Sequence, residues 1–236
     1  MAISLKPNPK DHFNSFMNLL NLRQPFTFIR FSDGEVEVLR NRKLTISNKK
    51  TFFRGKVFSN NYPEMDKKKF EPLIDQEFRK DLLASSIFRS KAFYKGIRTF
   101  SMNDTESILD REFLLRLNGG FDSHITFSDL LINENYLKFR SKMFPLILNK
   151  FKNIVVVSNW RSEIKFKFHK HIKVCDNFIK NYQNEVTSIL NALINTPLHA
   201  IVLCSASSLT NILGHKLYLL RPDLTFLDVG TSINDL

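Results

Sequence analysis

With 236 residues and a formal charge of +12, from 35 Lys and Arg against 23 Asp and Glu, the chain is sized for one large domain and carries a field that attracts polyanions. Its 43% hydrophobic and 25% charged residues exclude a disordered chain, and 23 Phe supply material for a core. No apolar run approaches the ~18 residues of a bilayer span, and the start MAISLKPNPKDHF lacks the apolar stretch of a secretory signal, so a cytoplasmic protein is expected. The two cysteines, Cys175 and Cys204, each sit beside an apolar run and are expected as buried, reduced thiols rather than a disulfide.

Residues 1–10 are polar and contain proline, a loose lead-in. Over 11–22 the apolar positions Phe13, Phe16, Met17 and Leu20 recur at helical spacing and predict an amphipathic helix that packs on a core rather than on a membrane; Pro25 stops it. Residues 1–25 are thus expected to precede a single domain over 26–236. Residues 26–31 read as a buried strand, halted by Ser32-Asp33-Gly34, with a helix opening at 35–40. The pattern over 44–120 is mixed: a helix at 67–83, a short apolar segment at 92–100 and a turn at Gly119-Gly120.

The second half is clearer. Residues 136–151 predict a helix, and Ile154-Val155-Val156-Val157 is a β-branched run of the kind that fills a central parallel strand. Residues 165–173 alternate, with Phe166, Phe168 and Ile172 on one strand face and His169, His171 and three lysines on the other. Another short segment begins at Val174, and 185–194 is helical. Residues 200–204 form a strand followed by Ser205-Ala206-Ser207-Ser208 and a helix to Leu220; 224–227 close the series. Strands alternating with helices at this spacing predict an α/β fold, a Rossmann-like single domain with a mainly parallel sheet flanked by helices.

The charge is concentrated. Residues 138–180 hold eleven Lys or Arg against two acids, Glu163 and Asp176. Such a segment suits nucleic acid, anionic lipid head groups or phosphorylated small molecules, without choosing among them. Part of the excess is compositional, since Lys, Asn, Ile and Phe are all frequent.

Ligands of open α/β sheets bind beyond the carboxyl ends of the strands. That rule selects Ser32-Asp33-Gly34-Glu35, Ser158-Asn159-Trp160-Arg161, Ser205 to Ser208, and Asp228 to Thr231. Asp33 and Glu35 flank a glycine and can aim at one point, as a hard cation such as Mg²⁺ requires; the same pattern also describes a turn and a helix with an acidic first turn. Arg30 can reach the same phosphates or pair with a carboxylate. The serines at 205–208 suit a phosphate at a helix N-terminus or simple N-capping by Ser207 or Ser208. Walker-type and Gly-x-Gly-x-x-Gly fingerprints are missing.

Phe28-Ile29-Arg30-Phe31-Ser32-Asp33-Gly34-Glu35 resembles the opening motif of the bacterial glycosyltransferases with the GT-D fold, where a strand with Arg-Phe-Gly-Asp-Gly-Glu carries an Asp-x-Glu metal site. Residues 201–208, Leu213-Gly214-His215 and Phe226-Leu227-Asp228-Val229-Gly230 are similar to that family's later strand, loop and helix and its closing Asp-Ile-Gly. The likeness spans about 26–230, anchored at both ends and thin between them. Ser32 stands for the usual Gly, and Thr231 stands where the family has His.

The resemblance implies a metal-assisted transferase. It would move sugar from a nucleotide sugar, a UDP-sugar first, to a glycan or lipid-linked saccharide in cell-surface polysaccharide assembly. Mn²⁺ or Mg²⁺ would sit on Asp33 and Glu35, with Arg30, Ser32, Asn159, Arg161, Ser205, Ser207, Ser208, Asp228 and Thr231 around the substrates. Asp129 and Asp104 are on hand as a base, and spacing does not choose between them; Asp129 joins the expected catalytic set. The basic stretch would then rest on an anionic membrane, at its inner face. The rivals are a nucleic-acid-binding protein, for which no finger, clamp or RNP pattern is present, a metal-dependent phosphohydrolase and a non-catalytic family member.

Overall fold

Two apolar faces alternate along every central strand, and each face carries its own layer of helices. The computed structural model describes residues 9–46, 50–53, 56–59, 68–98, 104–159 and 162–235. In chain order these form α1 (Pro9–Asn21), β1 (Thr27–Arg30), α2 (Asp33–Leu39), β2 (Leu44–Ile46), β3 (Lys50–Phe53), β4 (Lys56–Ser59), β5 (Lys68–Phe70), α3 (Gln76–Ile87), β6 (Phe93–Ile97), α4 (Thr105–Asn118) and β7 (Ile125–Phe127). There follow α5 (Tyr136–Lys138), a π-helical turn (Phe139–Met143), α6 (Phe144–Lys150), β8 (Ile154–Asn159), β9 (Lys170–Val174), α7 (Tyr182–Ile194), β10 (Ile201–Ser205), α8 (Leu209–Leu220) and β11 (Thr225–Asp228).

Seven strands make one parallel sheet in the order β7-β6-β1-β11-β10-β8-β9. Phe28 of β1, Val156 of β8 and Leu203 of β10 enter one core with Phe13, Phe16 and Leu20 of α1 and Ile147 of α6. Their neighbours Ile29, Val157 and Cys204 enter the other, with helices α2, α3, α4, α7 and α8. Gly214 of α8 is required by closeness: a Cβ there would stand 2.6 Å from Ile29 Cγ2. Among the described residues no helix is long and apolar enough to cross a membrane.

The sheet order makes the first and last strands neighbours, since β1 pairs with β11 through Thr27↔Phe226 and Phe28↔Leu227. The chain leaves β1 for β6 and β7, crosses to β8 on the far flank and winds back to β11. All seven carboxyl ends therefore open on one edge, and β1 sits where the winding reverses.

Several expected elements are corrected. Over 67–83 the chain is not one helix: β5 runs into a turn at Pro72, which disfavours helical backbone at Glu71, and α3 starts only at Gln76. Asp75 accepts from the Glu71 N–H at 2.6 Å within that turn. A four-stranded antiparallel sheet, β4-β3-β2-β5, occupies the mixed region. Residues 162–169 are not strand, because this stretch carries the chain back along the sheet so that β9 can pair parallel to β8. Val174 therefore ends a strand rather than beginning one. Both cysteines are free, but only Cys204 is buried; Cys175 is exposed.

Candidate functional site

Arg30 ends β1 and reaches both ways along the edge. Its Nη1 donates to the Ser128 carbonyl just beyond β7 at 3.0 Å, and its Nη2 pairs with Asp228 Oδ1 at the end of β11 at 3.0 Å. The ion pair is largely buried, with side chains 13% and 5% exposed. Burial pushes the Asp228 carboxyl upward against the pull of Arg30, and the nearby charge of Glu35 adds to the rise. The Gly230 N–H donates to Asp228 Oδ1 at 3.0 Å. Gly230 has φ +49°, and a Cβ there would lie 2.3 Å from Arg30 Nη2. The spacing Asp-Val-Gly thus has a physical cause: the aspartate holds the guanidinium, and the glycine makes room for it while turning the chain. From α8, Asn211 Nδ2 donates to the Arg30 carbonyl at 2.6 Å, pinning the end of β1.

Beside this knot, α2 opens with Asp33 and Glu35 in its first turn. Glu35 is buried, and its Oε2 accepts from the Ser32 N–H at 3.0 Å and the Ser32 hydroxyl at 2.8 Å. That is the backward half of a capping box. Asp33 is 45% exposed and makes an ion pair with Arg98, the residue following β6. Arg98 is itself only 16% exposed.

A hard cation would have to take these carboxylates from the partners they already have. Glu35 is committed to its helix cap, Asp33 to a guanidinium and Asp228 to Arg30. As placed, the pair does not fit Mn²⁺ or Mg²⁺, and a guanidinium already stands against the carboxylate that a cation would use first.

The other expected site residues spread along the same edge. Asp129 follows Ser128 and is partly exposed, so the loop holding it touches Arg30 through its neighbour. Asp104 is the N-cap of α4, accepting from the Ser107 N–H at 2.9 Å; hydrogen bonds from Ser107, with a smaller pull from the charge of Arg98, hold its carboxyl below the usual range. Thr231 is exposed at the start of the closing 3-10 helix, Gly230–Asp235. Ser205 ends β10, Ser207 is exposed at φ +52°, and Ser208 is buried. Ser208 stands at the N-cap of α8 without a side-chain cap bond; the Thr210 hydroxyl accepts the Ala206 N–H instead, at 2.9 Å. Asn159 donates to Asp176 at the ends of β8 and β9. It lies three strands from β1, about 14 Å at the usual strand spacing, and is not brought against Arg30. Arg161 lies outside the described residues.

Sequence reasoning missed Arg98 and Asn211. The apolar segment at 92–100 was visible, and treating it as a strand would have put Arg98 on the list by the strand-end rule. Nothing in the sequence marks Asn211.

A cavity of about 330 Å³ lies at the opposite edge, lined by Arg89, Lys95, Asn118, Asp122 and His124 among others. Its charged groups are already engaged: Arg89 pairs with Asp122 at 3.1 Å, and Lys95 Nζ donates to the Ser86 and Phe88 carbonyls at 2.7 and 2.8 Å, while Asn118 Oδ1 is buried without a partner. The strand-end rule outweighs its volume in locating the site.

No protein-family profile and no curated protein matches the chain. Two solved structures of domain of unknown function 1792 are similar to it. One, described as having a distinct glycosyltransferase fold, aligns with TM-score 0.56 at 11% identity over 94% of this chain and 77% of its own. A selenomethionine-substituted structure of the same domain aligns with the same score and coverage at 12% identity. The α/β architecture expected from the sequence is therefore present as a glycosyltransferase-like fold.

Proposed function

We propose that this chain is a glycosyltransferase of the GT-D type, using a nucleotide sugar, a UDP-sugar first, and a glycan or lipid-linked saccharide acceptor. One observation carries the reading. The two motifs that anchor the resemblance, at opposite ends of the sequence, meet as a single unit of Arg30, Asp228 and Gly230 at the edge where α/β sheets take ligands. The likeness to a glycosyltransferase fold supports it.

Transfer of the sugar leaves negative charge on the departing nucleoside diphosphate, and fixed positive groups at that position lower the barrier without rearranging. Arg30 is fixed by its partners beyond β7 and on β11, so its guanidinium is held at the mouth without rearranging. Asp129, one residue from the Arg30 contact, would be the carboxylate to receive an acceptor proton if the reaction inverts configuration. Many basic residues of 138–180, among them Arg140, Lys142, Lys152, Lys165, Lys167 and Lys173, are exposed. On an anionic membrane each contributes about 1 kcal/mol near the surface, which would hold the enzyme beside a lipid-linked acceptor at the inner face.

The test is a thermal-shift panel of nucleotide sugars, nucleoside monophosphates and free sugars, with and without Mn²⁺ or Mg²⁺. Release of nucleoside diphosphate is then assayed with lipid-linked acceptors. Stabilisation by one nucleotide sugar above its monophosphate, and turnover only with an acceptor, is expected. No response to any nucleotide sugar would refute the reading, and phosphate release without an acceptor would favour a phosphohydrolase.

A further inference from the structure

The geometry points to Arg98 as the side chain that takes the donor diphosphate, with Asp33 holding it in reserve while the site is empty; this rests on the glycosyltransferase reading. Arg98 stands at the carboxyl end of β6, the strand beside β1, where the Phe31 N–H donates to the Gly96 carbonyl at 2.8 Å. Its guanidinium therefore shares the edge with Arg30. The two arginines differ in what they can give up. Arg30 is bound on two sides, by Ser128 and by a buried aspartate, and the end of its strand is pinned by Asn211. Arg98 pairs with an aspartate that is nearly half in water, and its charge also acts on Asp104.

With Asp33 45% exposed the pair can open, because water solvates the carboxylate that is left behind. A guanidinium matches a phosphate with two parallel hydrogen bonds, which a diphosphate can repeat along its length. The exchange is one of partners: Arg98 leaves Asp33 for the diphosphate, and Asp33 becomes solvated. The cationic role that the Asp-x-Glu pattern suggests for a metal then falls to an arginine, in keeping with the poor fit of the carboxylates to a cation. Asp33 acts as a competitor for Arg98 and sets how tightly an anion must bind to claim it.

Titration calorimetry of the full chain with inorganic pyrophosphate and with UDP, in EDTA, tests this. Arg98→Gln is expected to weaken pyrophosphate about tenfold or more, as loss of a charge-assisted hydrogen bond implies. Asp33→Asn is expected to tighten it several-fold, since Asp33 then no longer competes, and Arg98→Lys to fall between Arg98→Gln and the wild type. Melting curves confirm that each variant is folded. Wild-type affinity in Arg98→Gln would overturn the proposal. So would weaker binding by Asp33→Asn in EDTA, or wild-type binding that appears only with Mg²⁺ or Mn²⁺ and vanishes in Asp33→Asn. If the expected pattern holds for pyrophosphate but no nucleotide sugar is preferred, the Arg98 site stands and the transferase reading falls.

Discussion

Two arginine–aspartate pairs lie at neighbouring strand ends, and water treats them differently. Arg30 and Asp228 are almost wholly enclosed, while Arg98 is paired with an aspartate 45% exposed. The same ionic chemistry is scaffold in the first place and available for exchange in the second. An enclosed charge that loses its partner cannot be rescued by solvent, whereas a half-exposed one can.

The largest expected effect follows directly. Asp228→Ala strands the Arg30 guanidinium and should cost about 3–5 kcal/mol of stability by chemical denaturation. Arg98→Gln leaves Asp33, 45% exposed, to water and should cost no more than about 1 kcal/mol. Equal losses would erase the distinction between the pairs.

Two glycines sharpen the comparison. Gly230→Ala forces a side chain into positive φ and against Arg30, for a loss of about 1–3 kcal/mol. Gly34→Ala, beside Asp33, meets only Leu44 Cδ2 at 3.6 Å and should be neutral or stabilising by up to about 1 kcal/mol.

Lys95 offers a third case, a buried cation whose ammonium is held by carbonyls rather than a carboxylate. Burial lowers it from 10.5 to about 8. Between those values the unfolded chain binds more protons than the folded one, so this group makes stability rise with pH from about 8 to 10.5. Lys95→Met should remove that rise from the pH profile of unfolding. An unchanged profile would show that the lysine does not titrate there.

The central strands were legible because β-branched and apolar runs buried on both faces leave a plain signature: Ile154–Asn159 and Ile201–Ser205 both stand near where the sequence places them. The three-residue strand Ile125–Phe127 and the small antiparallel sheet are too short for periodicity to register. The long alternation at 165–173 misled because period two describes a stretch of residues, not whether a neighbouring strand is alongside to pair with. At the site, the strand-end rule found Asp33 and Asp228, with Arg30 beside them, but not Arg98 or Asn211, nor which carboxylate each arginine holds. Whether a carboxylate is free, capping a helix or facing an arginine depends on which strands are neighbours, and local spacing does not encode that.

A crystal structure with UDP bound is the decisive measurement. The diphosphate should lie at the carboxyl edge between β1 and β6, with Arg98 moved from Asp33 onto it and Arg30 still on Asp228. UDP seated at the opposite edge, among Arg89, Lys95 and His124, or bound with the Arg98–Asp33 pair intact, would contradict that arrangement.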